Sequence, residues 1–513
     1  MTASRTFAVV LAAACYALAL PPFDLSWLAW IALVPLLLQV RTAHPAHAFL
    51  IGAAFGFVMS WAVTWWLTPA IADYFAASLL FGAASISAAY VTAVSLNTGL
   101  FAMGVAVLSR RALGPTTRIL GIAALWVATE LVRGRLLQDP WALLGYTQHG
   151  QIAVLQIATI TGVYGVSFLV ALGNATVAEI LATSTGAQSW RERLLAPRWA
   201  MTFLAMAWVI GAVSVPSVAT EPTDAARIAI VQPNVQPAFR WTRAYSERQL
   251  TATLRLTRDA VRDRPALVVW PENAVTMYLE QEPFLATQLG TLHASAGADL
   301  LYGAPRYSDG RTYNSARLLR TDGTQDHYDK RKLVPFAEVS VGGQQRSSGT
   351  VESPRNFHAG RSPGVLTSFA RLGVSICHEI LYPELIADGV AAGAELLVNI
   401  ANDGWLDGGR GIASRQHFAM SVLRAVETRR YLIRAATTGV SGIIDPYGRV
   451  RAVSSPNVAT IVAGDVHPRT GLTPYVRHGD WFPLLCLVAA SALLAPRLRL
   501  RERLALPALA HVR

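Results

Sequence analysis

The sequence has little charge. Only 15% of its 513 residues are Asp, Glu, Lys or Arg, whereas soluble globular proteins carry about a quarter. Hydrophobic residues make up 53%, and this excess argues against an ordinary cytosolic protein. The formal net charge of +12 is spread along the whole chain, which argues against a nucleic-acid binder, because such a protein concentrates its basic residues on one face.

Cysteine and lysine are nearly missing. The three cysteines, Cys15, Cys377 and Cys486, are too widely spaced for a metal-ligand cluster, and we expect no metal and no cofactor. Cys15 and Cys486 fall in apolar runs, so only Cys377 stands in a polar context. Of 44 basic residues only Lys330 and Lys332 are lysines. Either one of them is needed as an ammonium group or their survival is chance.

Long apolar stretches account for the missing charge. Each is near or above the ~20 residues that span a bilayer, and they cover residues 6–22, 25–40, 47–69, 76–108, 116–134, 152–183, 197–217 and 481–496. The first has no polar stretch or cleavage site after it, which indicates an anchor rather than a signal peptide. The pattern predicts an α-helical membrane bundle of eight transmembrane helices, seven within residues 1–220 and one within 479–513.

Arginines predict the orientation of this bundle. With a cytoplasmic N-terminus, thirteen arginines of the short loops and the tail fall on the cytoplasmic side, and only Arg133 and Arg135 fall on the other. The positive-inside rule then places residues 221–478 outside the cytoplasm. The spans carry almost no charge near their middles, which argues against a transporter and favours an anchor or lipid platform. Trp141 and Tyr146, in an apolar outer loop, fit an interfacial aromatic belt or a lipid-facing wall.

The segment 221–478 has the pattern of one α/β domain. Buried strands are predicted at 228–232, 266–270, 300–303, 316–320, 374–376 and 396–400, and helices at 246–263 and 417–431. Polar residues stand beside three apolar runs: Glu272, Lys330 and Cys377. Because strand ends form the ligand crevice of α/β folds, these residues predict a base, an oxyanion partner and a thiol nucleophile. Taken singly, each residue also has an ordinary explanation: Glu272 as a helix cap, Lys330 as a solvated charge and Cys377 as a packed thiol.

Several stretches, in this order, carry a resemblance to a known family: Val231-Gln232-Pro233-Asn234, Trp270-Pro271-Glu272, Tyr313-Asn314-Ser315, Tyr328-Asp329-Lys330, Leu333-Val334-Pro335-Phe336-Ala337-Glu338, Ile376-Cys377-His378-Glu379 and Asn402-Asp403-Gly404-Trp405. Matches in the membrane half are Pro140-Trp141, Leu144-Gly145-Tyr146 and Tyr164-Gly165-Val166-Ser167. They resemble the nitrilase superfamily, whose fold is an αββα sandwich. With the eight-span frame, the chain is similar within that superfamily to bacterial apolipoprotein N-acyltransferases.

The resemblance implies a role for each catalytic residue. Cys377 is then the nucleophile, Glu272 the base and Lys330 the oxyanion stabiliser, while Glu338 and Glu379 are supporting acids.

The resemblance also implies substrate contacts. Trp241 and Trp405 are expected near the acyl chain, and Trp141 and Tyr146 are further candidates from the membrane half. His378 stands where the family usually has Tyr, as Ala337 stands in place of Gly, and His378 is expected in the thioester pocket.

The implied reaction moves an acyl chain from a phospholipid, through a thioester, to the N-terminal α-amino group of a diacylglyceryl-cysteine in an apolipoprotein. The implied location is the bacterial inner membrane, with residues 221–478 as a periplasmic catalytic domain, and we expect a monomer. A membrane-tethered amidase or nitrilase acting on a small amide is the alternative, although one span would suffice for a tether.

Overall fold

The computed structural model describes residues 3–182, 197–217, 224–238, 241–279, 297–335, 337–339 and 357–495, together with the single residues 282, 287 and 290. Residues 183–196 and the residues from 496 onward, which include several of the arginines used to predict orientation, lie outside the described residues.

The described residues up to 217 form apolar helices. In chain order these are α1 Ala3–Leu18, α2 Ala29–Ala32, α3 Val34–Val40, α4 Pro45–Thr64, α5 Leu67–Phe75, α6 Leu79–Ile86, α7 Thr92–Ser109, α8 Pro115–Arg135, α9 Ile152–Leu155, α10 Ala158–Thr161, α11 Val163–Ala182 and α12 Arg198–Val213. A π-helical turn, Ser87–Val91, joins α6 to α7.

Three described helices are long and apolar enough to cross a membrane: Pro45–Thr64, Leu79–Ser109 and Val163–Ala182. Shorter apolar helices are Ala3–Leu18, Ser26–Val40, Ile152–Thr161, Arg198–Val213 and Trp481–Leu494. The helical character of the predicted bundle is confirmed, whereas the number of eight spans stays a prediction.

The sequence predicts one helix over the apolar run 152–183, but the structure divides this run into three helices. The single-turn helices α9 and α10 come first, and Gly162 then takes a φ of +67° before α11 begins. This left-handed conformation is open to glycine because it has no Cβ. The chain therefore turns at Gly162, and only α11 has the length of a span.

Two six-stranded sheets form the second half of the chain. The strands are β1 Ala226–Gln232, β2 Leu267–Val269, β3 Asp299–Ser308, β4 Arg311–Leu319, β5 Gln325–Asp329, β6 Val365–Thr367, β7 Arg371–Ile376, β8 Leu396–Ala401, β9 Leu432–Ala436, β10 Gly442–Ile444, β11 Val450–Val453 and β12 Thr460–Val466. The first sheet has the order β12-β1-β2-β3-β4-β5 and the second β11-β10-β9-β8-β7-β6.

Parallel strands lie at the centre of each sheet, β1-β2-β3 in one and β7-β8-β9 in the other. Such strands are buried on both faces, which explains their continuous apolar runs. Ile230 and Val269 of the first sheet belong to the same buried cluster as Ile376 and Val398 of the second. The two sheets therefore pack face to face.

Helices cover the outer faces of both sheets. Helix α13, Arg243–Ala260, packs on the first sheet, and the second is covered by α14 Pro383–Ala391 and α16 Ile412–Thr428. The short helix α15, Gly404–Asp407, contacts α5 and α16. This arrangement confirms the predicted αββα sandwich.

The helices on the second sheet also contact the membrane half. Leu385 and Val422 belong to one apolar cluster with Leu144 and Val163 of the membrane half. The two halves therefore share a continuous core.

The chain ends its described part with α17 Pro474–His478 and α18 Trp481–Leu494. Helix α18 packs against α7 and α8. Arg111 donates hydrogen bonds to the carbonyls of Leu493 and Leu494, at 2.5 and 2.7 Å. The last helix thus returns to helices that precede it by almost 400 residues.

Candidate active site

A cavity of about 110 Å³ opens where β2, β5, β7 and β8 end. Its lining residues are Tyr74, Pro237, Ala238, Trp241, Glu272, Asn273, Lys330, Val334, Ala337, Glu338, Phe357, Cys377, Asn402 and Trp405. The structure thus brings together the three predicted catalytic residues, one supporting acid and two of the predicted aromatic residues.

Cys377 begins a 3-10 turn, Cys377–Leu381, directly after β7. Its φ of +54° is unusual for a residue with a side chain and costs about 1–3 kcal/mol. The side chain is 2% exposed, and burial, together with the charge of Glu272, raises the pKa of the thiol well above its usual value. The thiol is therefore protonated near neutral pH, and attack on a substrate requires a base.

Glu379 fixes the turn that carries Cys377. Its carboxylate accepts hydrogen bonds of 2.7 to 3.0 Å from the backbone N–H groups of Ile376, Arg331 and Lys332 and from the hydroxyl of Tyr328. Burial raises the pKa of Glu379, and the three N–H bonds oppose this rise. Because its partners lie on both sides of the site, Glu379 joins the end of β7 to the end of β5.

Lys330 directly follows β5 and lies between two carboxylates. Its Nζ is 3.3 Å from Oε1 of Glu272 and 2.9 Å from Oε1 of Glu338. The Asn314 amide donates to the same two oxygens, at 2.7 and 2.8 Å. Burial opposes the charge of Lys330, but the two carboxylates outweigh burial and hold the pKa of the ammonium above its ordinary value. A permanent positive charge is thus fixed beside Cys377.

Lys332 has different surroundings. Its Nζ donates to Oε1 of Gln138 at 2.7 Å and lies 5.1 Å from the ring centroid of Tyr382. The two lysines of the chain therefore have separate positions, and only Lys330 lines the cavity.

Groups next to β8 also surround Cys377. The backbone N–H of Asn402, which follows β8, favours the thiolate form of Cys377 and so opposes the rise of its pKa. The side-chain amide of Asn399 donates to the Cys377 carbonyl at 3.3 Å. The Asn402 N–H is well placed to stabilise negative charge at the sulfur or on a nearby oxyanion.

Asp403, the next residue after Asn402, belongs to a buried ionic network. Its Oδ1 is 2.7 Å from Nδ1 of His417, and its Oδ2 accepts from Nη2 of Arg434 at 2.6 Å. Although burial acts the other way, Arg434 and His417 hold the pKa of Asp403 well below its usual range. Asp403 is thus a carboxylate, and Nδ1 of His417 is the donor.

Apolar side chains form the walls of the cavity. Trp241 packs with Tyr245 and Phe357 in a separate buried cluster, and Trp405 lies on α15. Tyr74 comes from α5 in the membrane half, and its hydroxyl donates to the Ala337 carbonyl at 3.2 Å. Both halves of the chain therefore build the cavity.

Trp141, Tyr146 and His378, which were predicted to contact the substrate, lie outside this cavity. Nε1 of Trp141 donates to Oε1 of Gln416 on α16 at 2.7 Å. The Tyr146 hydroxyl, fully buried, accepts from Arg424 at 3.3 Å. Both aromatic residues of the outer loop thus pack against the catalytic half.

His378 packs edge-to-face against Tyr382, with 5.7 Å between the ring centroids. Among the described residues its buried ring nitrogens have no hydrogen-bond partner. Burial and the charge of Lys330 hold its pKa well below the usual value, so His378 is neutral.

Sequence reasoning missed several residues of the site. Asn314, Asn402 and Asp403 fall in the stretches that carry the resemblance, so their motifs were a usable signal. Tyr74 and Arg434 carry no such signal, because their positions depend on how distant elements pack.

Comparisons with known proteins agree with this architecture. The family model described as apolipoprotein N-acyltransferase N-terminal domain matches residues 12–176, and the carbon-nitrogen hydrolase model matches residues 227–475. The apolipoprotein N-acyltransferase of Geobacter metallireducens is 32% identical over 499 residues, which cover 95% of this chain and 94% of the relative. This chain belongs to the apolipoprotein N-acyltransferase family. The predicted resemblance is therefore confirmed.

Other apolipoprotein N-acyltransferases match over the same length. The Pseudomonas putida protein is 33% identical over 502 residues, or 94% of this chain and 95% of the relative. Among solved structures, an amidase of the nitrilase superfamily from Nesterenkonia AN1 aligns with 50% of this chain and 95% of its own, with 18% identity and a TM-score of 0.39.

Proposed function

We propose that this protein transfers an acyl chain from a phospholipid to the free α-amino group of a diacylglyceryl-cysteine at the N-terminus of an apolipoprotein. Membership of the apolipoprotein N-acyltransferase family supports the reaction. The observation that carries the proposal is that Cys377 and Lys330 line one cavity with Tyr74 of the membrane half. Such a cavity suits a substrate that remains in the bilayer.

The first half-reaction acylates the enzyme. The Cys377 sulfur attacks the ester carbonyl carbon while Glu272 takes the thiol proton. Lys330 and the Asn402 N–H stabilise the oxyanion of the tetrahedral intermediate. Its collapse breaks the ester C–O bond, and the leaving alkoxide takes the proton from Glu272. The products are a thioester on Cys377 and a lysophospholipid.

The second half-reaction transfers the acyl group. The neutral α-amine attacks the thioester carbonyl carbon, and Glu272 accepts a proton from the nitrogen as the C–N bond forms. The C–S bond then breaks, and the Cys377 thiolate recovers that proton. The two half-reactions together form a ping-pong mechanism that needs no cofactor.

The other residues act by position. Glu338 and Asn314 hold Lys330, and Glu379 holds the turn of Cys377. We assign Trp241 and Trp405 to the acyl chain, since apolar walls favour each buried CH₂ by ~0.8 kcal/mol.

We propose that His378, Trp141 and Tyr146, which lie outside the cavity, act in packing and not in direct substrate contact. Trp141 and Tyr146 join the membrane half to α16 of the catalytic half, and His378 packs against Tyr382.

The proposed setting is the bacterial inner membrane. Eight spans place residues 1–220 and 479–513 in or beside the membrane and residues 221–478 in the periplasm as the catalytic domain. The protein acts as a monomer. Phospholipid and apolipoprotein both reach the cavity from the outer leaflet.

Intact-protein mass spectrometry tests this proposal. Full-length protein incubated with a phospholipid of one known acyl chain should gain the mass of that chain, and Cys377→Ala should not. A synthetic diacylglyceryl-cysteine peptide with a free α-amine should discharge the adduct, and its N-acetylated form should not. An adduct that water discharges as fast as the free peptide does would favour a tethered amidase instead.

A further inference from the structure

Three guanidinium groups surround one tyrosine ring where the two halves of the chain meet. The Cζ atoms of Arg429, Arg449 and Arg469 lie 4.5, 5.6 and 5.6 Å from the ring centroid of Tyr447. Tyr447 belongs to the turn between β10 and β11. None of these four residues lines the catalytic cavity, so the cluster is a separate feature. We call these four residues the Tyr447 cluster.

The positive charge of this region is only partly neutralised. Asp445 pairs with Arg449 at 3.0 Å. In the part of the chain that the structure describes, no carboxylate lies within ion-pair distance of Arg429, Arg469 or the neighbouring Arg430. Burial and repulsion from Arg469 lower the pKa of Arg429 and Arg430 to about 10. A bound anion would relieve this repulsion.

Hydrogen bonds tie the Tyr447 cluster to the ends of apolar helices. Nη2 of Arg449 donates to the Pro216 carbonyl at 2.7 Å, just beyond the end of α12. Gln156, which follows α9, donates to the Tyr447 carbonyl at 3.0 Å and accepts from Arg429 at 2.6 Å. The Tyr447 cluster therefore lies beside the ends of α9 and α12.

The same helix end presents an apolar surface. On α12, Ile210 is 58% and Val213 is 78% exposed, and the helix ends at Val213. Large exposed apolar side chains in this position fit contact with lipid chains. In the proposed membrane placement, the Tyr447 cluster therefore lies at the height of the head groups on the side of the catalytic domain.

We propose that the Tyr447 cluster binds the phosphate of an anionic phospholipid, at a site distinct from the acyl-donor site. Guanidinium groups bind phosphate oxygens through paired hydrogen bonds, and the acyl chains would lie along the apolar surface of α12. The unmatched positive charge selects an anionic head group over a zwitterionic one. The inference rests on the membrane placement of the proposed function, but it needs no step of the acyl transfer.

Lipid retention by full-length protein tests this site. Protein carrying Cys377→Ala is reconstituted in nanodiscs with equal parts of phosphatidylglycerol and phosphatidylcholine, and retained lipid is counted by native mass spectrometry. We expect preferential retention of phosphatidylglycerol. Arg469→Gln should lower that retention at least tenfold, whereas Arg469→Lys, which keeps the charge, should preserve most of it.

A matched control removes one charge elsewhere. Arg258→Gln changes an exposed arginine of α13 and should leave retention unchanged. If Arg469→Gln fails to fold, judged by thermal unfolding, Arg429→Gln takes its place. Equal retention of the two lipids by the parent, or equal phosphatidylglycerol retention by Arg469→Gln and Arg258→Gln, would overturn the site. Displacement of the lipid by 10 mM inorganic phosphate would overturn the assignment to a lipid head group.

The proposed acyl transfer is judged separately, by the Cys377 adduct in protein without the Cys377→Ala change. Lost phosphatidylglycerol selectivity with normal adduct formation counts against this site alone. Normal selectivity without an adduct counts against the proposed reaction alone.

Discussion

At the residue scale, Cys377 combines burial, a left-handed backbone and a protonated thiol. Cys377→Ser keeps the shape but substitutes a hydroxyl that is far less acidic. We expect Cys377→Ser and Cys377→Ala to insert normally and to lose acyl transfer by about a hundredfold or more. Cys15→Ala and Cys486→Ala are the controls and should keep nearly full activity in the same lipopeptide assay. Turnover retained by Cys377→Ser would contradict the thioester mechanism.

The two lysines offer a second test at this scale. Lys330→Arg keeps the charge, but the larger planar fork cannot occupy the space between Glu272 and Glu338 in the same way. We expect the rate of adduct formation to fall about a hundredfold, whereas Lys332→Arg should be tolerated. Equal rates of adduct formation in Lys330→Arg and Lys332→Arg would indicate that the chain keeps its two lysines by chance.

The proximity of the three candidate catalytic residues could be predicted from sequence because each follows a strand within a recognisable stretch. Glu272, Lys330 and Cys377 therefore lie together as expected. Tyr74 could not be predicted, since it reaches the cavity only through the packing of α5 against the catalytic half. For Trp141 the sequence indicated an apolar interfacial position, but the contact with Gln416 depends on the docking of two distant segments.

At the scale of elements, α16 connects the loop of Trp141 to the surroundings of Cys377. His417 on α16 donates to Asp403, whose neighbour Asn402 lines the cavity with Cys377, and the His417 ring is 4.8 Å from that of Trp141. His417 is thus a positioning residue with two contacts, one polar and one apolar.

Two substitutions at His417 separate those contacts. His417→Phe keeps a ring against Trp141 but removes the hydrogen bond, which is worth about 1.5–3 kcal/mol when the acceptor is charged. His417→Asn keeps a donor and loses the ring. If the hydrogen bond positions Asn402, adduct formation falls about tenfold or more in His417→Phe and much less in His417→Asn.

A second measurement distinguishes positioning from stability. Displacement of the Asn402 N–H should shift alkylation of Cys377 by iodoacetamide to higher pH, because that group favours the thiolate. The other charged groups facing the thiol, Glu272, Lys330 and Asp403, are unchanged in both variants. Parallel loss of melting temperature and activity in both variants, without a shift of the pH profile, would indicate a structural role only.

Elements differ in how well the sequence predicts them. Strand β8 is apolar throughout because both faces are buried, and it was predicted within one residue of its bounds. Strand β11 was missed, since it lies at a sheet edge and Val450 and Val453 are exposed. The predicted helix at 246–263 matches α13 together with the 3-10 turn Val261–Asp263 that follows it. The prediction of one helix over 152–183 was wrong because composition alone does not reveal a turn at Gly162.

At the scale of the whole molecule, the shared core argues against a removable catalytic domain. The isolated segment 221–478 would expose Leu385, Val422 and their neighbours, which now pack on the membrane half. We expect this segment to aggregate in size-exclusion chromatography without detergent. A monomeric segment that hydrolyses a small amide as fast as the full protein uses phospholipid would favour the tethered amidase.

Orientation is testable on the same scale. A reporter active only in the periplasm should give signal when fused after residue 220 and none when fused after Arg198 or Arg503. The arginine asymmetry of the short loops requires this pattern. Signal from the fusion after Arg503 would contradict the predicted cytoplasmic tail and the count of eight spans.

The packing of α18 against α7 and α8 has a consequence for biogenesis. A ribosome completes α18 only after the entire catalytic domain has emerged. In the proposed topology, that domain must cross the membrane before the groove between α7 and α8 is filled. A chain interrupted before residue 481 would leave this groove open, with Gly104 and Gly121 facing lipid and the Arg111 guanidinium without the carbonyls that it now contacts. The bundle therefore closes only after translation of the chain and export of the catalytic domain have both finished.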